Sequence, residues 1–479
     1  MARFLKRQSI SSSIGVVMSM TILQRVLSVL RQMVFTRMLG PSGVGALGLA
    51  VDTIMGTPLN IVTLGLPSSY ARYVQQYERK GRLRDFFLRT MRPTLVLASI
   101  AAVGCLAFSP QVSALVFQER TQTWLVVVTA LAIVPEAMLR HLRAGFAGMR
   151  MFFVTSSMDF FPVLVFSVLG AVLVLCVART PVAAAGAQAI GSWTTALVFG
   201  GLLWKHLKSA EPEHLRIEEP DFVPKIVRYS GWSMLMPLEL QLLVLVDRWM
   251  LVRLRGLHDV GIYTAAASVS AYVFLLGALT ANVLSPNLSQ MWEEGDRRVV
   301  MRRINFAVRA TLLALLGVAL FLLAVSPWVI PFICGKGFTE SANLMWAFVM
   351  YHLFYSAFYV LGLYPLLIEK PQMGLLGVTM GLVADVGLNL LLTPRYGVTG
   401  AAISAFCSMA VIALVMLAQC TIFVLALLFL PALRSRRILL AAYAALILVI
   451  LFTPWLLDAE EKALLKARVL GMLRRPGGA

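Results

Sequence analysis

Eight residues with polar chemistry interrupt long apolar runs of this sequence. Arg25 and Arg31 lie in the run 10–36 and Asp52 in 44–70. Glu239, Asp247 and Arg248 lie in 226–252, and Asp385 and Asn389 in 373–392. A charge at the centre of a membrane helix costs at least ~2.5–3.5 kcal/mol, so such groups face a partner or a wet cavity. Arginine presents a fixed fork of donors that matches phosphate oxygens. Counting back along a hairpin sets Arg31 level with Asp52, roughly 15 Å below the turn at about 1.5 Å per residue. The pair predicts a salt bridge, and its bland alternative is a pin that only holds the hairpin. Arg25 meets Pro58, Leu59 and Asn60 at its depth, none of them acidic, and is the better candidate ligand for an anion. Glu239 follows Pro237, whose missing N–H favours a kink. Asp247 and Arg248 lie near a helix end, where a simple rim pair is the alternative to a functional one. Asp385 and Asn389, at i and i+4, share a helix face. They suit a cation, a sugar hydroxyl or a hydrogen bond between helices. Glu239, Asp247 and Asp385 are the candidates for coupling to a proton or sodium ion. His352 reads as a packed histidine. Tyr351, Tyr355 and Tyr359 form a stripe that suits packing or stacking on sugars.

The elements that hold these residues follow from composition. The chain has 479 residues, 59% hydrophobic and only 14% charged, with mean hydropathy +0.81. A soluble domain carries roughly 25% charge. The apolar excess runs the whole length, which excludes a soluble enzyme, a disulfide scaffold and a disordered chain. Runs long enough to span a bilayer, about 20 residues each, occur at 10–36, 44–70, 93–116, 122–145, 153–178, 182–204, 226–252, 260–290, 304–330, 339–368, 373–392 and 398–430. A further run lies at 438–457. An all-α polytopic membrane protein is predicted, since lipid tolerates only helices and closed barrels. The five cysteines fall in or at the end of apolar runs, so neither disulfides nor a metal site is expected. No cofactor is expected beyond the coupling ion.

Lysine and arginine set the orientation. With the N-terminus in the cytoplasm, the inside segments hold 26 basic residues and the outside gaps hold seven. The net charge of +19 is therefore read as topology and not as a nucleic-acid surface. Five basic residues of the tail 458–479 fall on the wrong side if thirteen spans cross. Either 398–430 passes twice, or 438–457 does not cross, or the tail is outside. The stretch Glu460–Arg475 suits an amphipathic helix on a membrane face.

The longest polar stretch, 205–225, carries Pro212, Pro220 and Pro224 and mixed charges, the marks of a linker. Six spans precede it and six follow. The expected domains are a six-helix lobe over 1–204, a cytoplasmic linker over 205–225, a second lobe over 226–430, and a hydrophobic segment with a basic tail over 431–479. An even number of spans per half gives two lobes related by a pseudo-two-fold along the membrane normal, plus an extra C-terminal helix. Arg37, Gly40, Val44 and Gly45 match Arg253, Gly256, Val260 and Gly261 at an offset of 216, without gaps. Both sets lie at the first turn of their half.

Other classes lose ground by absence. No G-x-x-x-x-G-K-[ST] loop is present for ATP hydrolysis, and no outside gap exceeds about 12 residues. A membrane glycosyltransferase needs a soluble catalytic loop. The basic segment 71–92 suits anionic head groups as well as topology.

Three sequence blocks resemble a known family. Leu39-Gly40 through Gly45, then Gly65-Leu66-Pro67 and Arg72-Tyr73-Val74, resemble the first hairpin of polysaccharide-export flippases. Asp247-Arg248 with Val260-Gly261-Ile262-Tyr263-Thr264-Ala265-Ala266 resembles their helix 7–8 turn. Pro371, Asn389-Leu390-Leu391-Leu392 and Pro394-Arg395-Tyr396-Gly397-Val398-Thr399-Gly400-Ala401-Ala402-Ile403 resemble their helix 11–12 turn. The resemblance spans about 10–420. It places the chain beside the oligosaccharide flippases of the multidrug/oligosaccharidyl-lipid/polysaccharide exporter superfamily, which also holds lipid II flippases and cation-coupled multidrug antiporters.

That resemblance implies two six-helix lobes around a cavity, alternating access, and a polyprenyl-pyrophosphate-linked glycan as cargo. Arg25 and Arg31 match the spacing of two arginines that lipid II flippases use at the head group. Arg25, Arg31, Asp52, Arg248 and Asn389 are the expected substrate contacts. Membrane lipids, and a polysaccharide polymerase or export proteins, are the expected partners. The cytoplasmic membrane of a prokaryote is the expected location. A cation-coupled drug or metabolite antiporter, or a non-transporting subunit that recruits glycan enzymes, are the competing readings.

Overall fold

The computed structural model describes residues 10–210, 217, 219, 221–293, 297–367 and 372–419. Among these, every regular element is helical. The first half contributes α1 (Ile10–Leu49), α2 (Thr57–Val62), α3 (Pro67–Arg79), α4 (Leu83–Ala107), α5 (Ser109–Phe117), α6 (Thr123–Ala130), α7 (Ile133–Gly148), α8 (Phe152–Val172) and α9 (Pro181–Ala210). The second contributes α10 (Phe222–Arg255), α11 (Leu257–Ser270), α12 (Tyr272–Glu293), α13 (Arg297–Cys334), α14 (Ser341–Leu361), α15 (Leu363–Leu367), α16 (Gln372–Tyr396) and α17 (Val398–Gln419). Ten helical stretches among the described residues are long and apolar enough to cross a membrane. The chain is a multi-pass membrane protein.

One of those stretches, Ser19–Val62, is 44 residues long. At about 1.5 Å per residue it is twice the thickness of a hydrocarbon core. It is a hairpin, because Gly40 takes φ 66 and ψ 178 near the middle of this stretch. Only glycine adopts this conformation readily, and Pro41 then restarts the helix with its fixed φ. Gly256, between α10 and α11, has φ 86 and ψ −178. The two glycines that the sequence aligns at an offset of 216 thus bend the chain in the same way.

The predicted run 44–70 is interrupted. Ala50–Gly56 is a π-helical segment, and a turn around Leu64 and Gly65, both with positive φ, separates α2 from α3. Nor is the predicted inner segment 71–92 a loop. Its first part is the amphipathic helix α3, whose Tyr70, Tyr73, Val74 and Tyr77 are buried against Phe86, Phe87 and Phe146. Its second part begins α4. Bulky aromatics bury more apolar area than a loop would, and that burial converts the basic segment into a packed corner.

The predicted linker meets this corner. Ile217 N–H donates to Asp85 Oδ2 at 2.8 Å, and Glu219 accepts from Tyr77 Oη at 2.9 Å and Lys80 Nζ at 2.5 Å. Burial, and then the hydrogen bond to Glu219, hold the Tyr77 phenol well above its ordinary pKa. The run 398–430 is helical through Gln419. Its remainder, the run 438–457 and the stretch Glu460–Arg475 lie outside the described residues.

Packing divides the molecule into two compact units. One holds the described residues of Met1–Ala266, Val329–Leu344 and Leu382–Ala405. The other holds those of Ala267–Trp328, Met345–Gly381 and Phe406–Ala479. The first therefore unites the first half and α10 with short stretches of α13, α14, α16 and α17. In the second, His352 is buried. Its Nδ1 lies 3.1 Å from Ser270 Oγ and 2.8 Å from the Phe348 carbonyl. The tyrosine stripe packs there too, with Tyr355 stacked on Phe274 at 4.4 Å between ring centres.

Candidate functional site

Within the first unit, five of the eight predicted residues gather in one buried cluster. Arg248 Nη1 donates to Asp52 Oδ2. Its neighbour Asp247 is 3% exposed and accepts from Tyr263 Oη on α11 and from Asn389 Nδ2 on α16 at 2.7 Å. Asn389 Nδ2 also reaches the Asp385 carbonyl at 3.2 Å. The Asn389 amide oxygen accepts from Thr393 Oγ1 at 2.8 Å. Asp385, Asn389 and Thr393 are fully buried, one turn apart on α16. Buried carboxylates are stable only when hydrogen bonds or countercharges meet them, and the network supplies a countercharge to Asp52 and two hydrogen bonds to Asp247.

Two expectations need correction. The ion pair of Asp52 is made with Arg248 and not with Arg31. The π segment changes the phase of the helix at Asp52, whose carbonyl accepts from the Thr57 N–H and from Gln241 Nε2 at 3.0 Å. Meanwhile α1 lays its other face along α8, and the Arg31 guanidinium sits 4.3 Å from the centre of the Phe166 ring. Asp247 and Arg248 are not an exposed rim pair either. Both are buried, and they reach different helices.

The cluster lies next to a close approach of turns. A Cβ on Gly45 would overlap the Leu257 carbonyl and the Gly261 nitrogen, and one on Gly261 would overlap the Pro41 carbonyl. The glycines that the sequence pairs at an offset of 216 are the ones that touch. Further ties join the same end. Arg37 Nη2 donates to the Phe332 carbonyl. Ser341 Oγ donates to the Ile262 carbonyl at 2.8 Å. Gln32 Nε2 is 3.7 Å from Cys334 Sγ.

The other predicted residues lie apart from this network. Arg25 is exposed and makes no ion pair or side-chain hydrogen bond among the described residues. Ile22, Leu23 and Val26 beside it are exposed as well. Glu239 is half-buried on α10, two residues beyond Pro237, whose carbonyl is 3.5 Å from Asn60 Nδ2.

Several participants escaped the sequence reading. Arg140 Nη1 donates to Asn60 Oδ1 at 2.7 Å, and Arg143 pairs with Asp159 at 2.5 Å. Both arginines end a predicted span, where topology alone accounts for a positive charge. Tyr263 and Thr393 complete the cluster. The spacing of Thr393 from Asn389, again i and i+4, was the available signal.

The sequence matches the model of the polysaccharide biosynthesis protein family over residues 10–292, more than half of the chain. The chain belongs to this family. No curated protein matches it. Among solved structures, the lipid II flippase MurJ in an inward closed conformation aligns with TM-score 0.70 and 14% identity, over 91% of this chain and 97% of that one. An inward-facing multidrug resistance MATE family transporter of the MOP superfamily aligns with TM-score 0.62 and 15% identity, over 88% and 96%. A MOP superfamily transporter from Pyrococcus furiosus aligns with TM-score 0.60 and 14% identity, over 91% and 95%. At these identities the likeness is one of fold, and the fold of this family member is that of a MOP superfamily transporter.

Proposed function

We propose that this protein is a flippase that carries a polyprenyl-pyrophosphate-linked oligosaccharide across the cytoplasmic membrane of a prokaryote, for surface polysaccharide. Membership of a polysaccharide biosynthesis family on a transporter fold is the observation that carries the reading. The N-terminus is assigned to the cytoplasm by the distribution of lysine and arginine. The two halves act as repeats that open alternately to each side.

In this account Arg25 is the first contact for the pyrophosphate. It is exposed, and a guanidinium fork matches phosphate oxygens. Arg31, shielded by Phe166, adds positive potential behind it. Asp52, Arg248 and Asn389 close the far side when the site faces inward. They exchange partners as it opens. Asp247, Asp385 and Glu239 are the positions for a coupling proton or sodium ion. A polysaccharide polymerase or export protein receives the cargo.

Reconstituted proteoliposomes test this directly. Protein with a polyprenyl-pyrophosphate glycan in the inner leaflet is expected to expose the glycan to an added glycosidase. Glycan that stays protected, equal to that in empty vesicles, overturns the reading.

A second reading, a cation-coupled drug or metabolite antiporter, is favoured by one observation: the fold aligns almost as completely with multidrug MATE transporters. Drug resistance that changes with substitutions at Glu239 or Asp385 would select it. A third, a non-transporting subunit that recruits glycan enzymes, predicts that alanine is tolerated at every buried charge.

A further inference from the structure

The consecutive helices α7 and α8 each carry a charge into the membrane. Counting from Met151 at the turn between them, Arg143 lies eight residues back and Asp159 eight residues on. At about 1.5 Å per residue both stand roughly 12 Å from the turn, level with each other. They meet there, with Arg143 Nε 2.5 Å from Asp159 Oδ1. This pair differs from the one between Asp52 and Arg248. The Arg143 side chain is 50% exposed and that of Asp159 37%, against 10% for Arg248. Charged side chains inside a span face the bundle interior or a water-filled cavity. Two charges left half open at this depth therefore mark a wetted surface and not a lipid-facing one.

The surroundings of the pair keep it positive. Arg140 precedes Arg143 by three residues and shares its helix face. Its Nη1 donates to Asn60 Oδ1 at 2.7 Å, an uncharged amide, and it makes no ion pair among the described residues. Glu136, one turn further along α7, is held by Ser192 Oγ of α9 at 2.6 Å. The helix α1 borders the pair from the other side, where Gln24 Nε2 lies 3.4 Å from the Asp159 carbonyl. Arg25 is the next residue of that helix.

We infer that Arg143 is an oxyanion contact on the transport path and that Asp159 is its resident competitor. This rests on the path proposed above and adds a residue pair to it. The Asp159 carboxylate holds the guanidinium in place while no cargo is present. A phosphate or carboxylate of the cargo offers the same planar or forked set of oxygens and takes the place of Asp159. A half-exposed ion pair is held weakly, so the exchange is easy. Arg140, fixed by Asn60, adds positive potential behind the site. Asp159 sets the threshold, because a group of weaker charge than its own carboxylate does not displace it.

The test uses the full chain, purified in detergent, and two probes followed by titration calorimetry. Farnesyl pyrophosphate stands for the pyrophosphate, and octyl glucuronide for an acidic sugar. R143Q is expected to weaken binding of at least one probe by roughly tenfold, and the probe affected names the source of the oxyanion. D159N is expected to tighten binding of that same probe by roughly threefold. R120Q, at an exposed turn, is expected to bind both as the wild type does. A pair that only holds α7 to α8 would make R143Q and D159N change binding in the same direction. R143Q with unchanged binding of both probes overturns the contact, and D159N with unchanged or weaker binding overturns the competitor. A further check needs no variant. Farnesyl pyrophosphate or octyl glucuronide is expected to slow modification of Arg143 by phenylglyoxal, read by peptide mass spectrometry, and modification that neither probe slows overturns the site. Binding is read without transport. A protein that binds as expected yet moves no glycan fails the flippase reading and keeps this site.

Discussion

The first unit holds two kinds of charge. Around Asp52, Asp247, Arg248 and Asn389, each group named meets a partner within the protein, and all but the half-buried Asp52 are buried. At Arg25 the guanidinium is exposed, among exposed apolar neighbours. A buried pair whose partners are all within the protein is a structural lock, worth most when one member is removed. A cation held exposed in an apolar setting is costly to insert, and its donors stay open to water, head groups or a ligand phosphate. Under the proposed function, the contrast separates the groups that would hold the protein in one state from the one that would meet the cargo.

The sharpest way to break this comparison is at Arg25. Arg25→Ala is expected to abolish export of surface polysaccharide while membrane levels of the protein stay normal by immunoblot. Normal export would remove Arg25 from the site.

Next in size is the glycine contact. Gly45→Leu and Gly261→Leu each push a side chain into a neighbouring backbone, with an overpacking cost of ~1–3 kcal/mol or more. Each is expected to part the two turns. A cysteine placed by Leu257→Cys should then react several-fold faster with a membrane-impermeant maleimide. Gly104→Leu, where an added side chain meets open space, should leave the labelling rate unchanged.

Asn389→Leu removes a donor from Asp247 and a partner from Thr393. A loss of ~1–3 kcal/mol is expected, read as a lower unfolding temperature in detergent. An unchanged temperature would mean that the network holds nothing.

The pair of Asp52 and Arg248 can be sharpened by a double-mutant cycle with Asp52→Asn and Arg248→Gln. A coupling of ~0.5–3 kcal/mol is expected, against strict additivity if the two are independent. The smallest effect belongs to Lys80→Gln. Its side chain is 44% exposed in the pair with Glu219, and surface pairs contribute ~0–1 kcal/mol.

The helices were legible because a span needs about 20 apolar residues and few other patterns supply them. The shared bend at Gly40 and Gly256 was legible as well, since positive φ demands glycine and the flanking residues repeat. What sequence distance could not supply was partnership. Asp52 lies 196 residues from Arg248 and Asp247 lies 142 from Asn389. Counting along a straight hairpin gave Asp52 to Arg31, because a π segment leaves no mark in apolar periodicity. Corner α3 was hidden for a different reason. Basic residues dominate the composition of 71–92, while the three tyrosines of α3 decide the packing. Arg140 and Arg143 were hidden by the same positive-charge bias that orients the chain.

The measurement that tests the central claim most directly is a lipid extraction from a strain lacking this protein. Intact polyprenyl-linked glycan is expected to accumulate while surface polysaccharide disappears, and both are expected to revert when the wild-type chain, but not Arg25→Ala, is restored. Unchanged glycan pools with altered sensitivity to drugs or cations would contradict the flippase account.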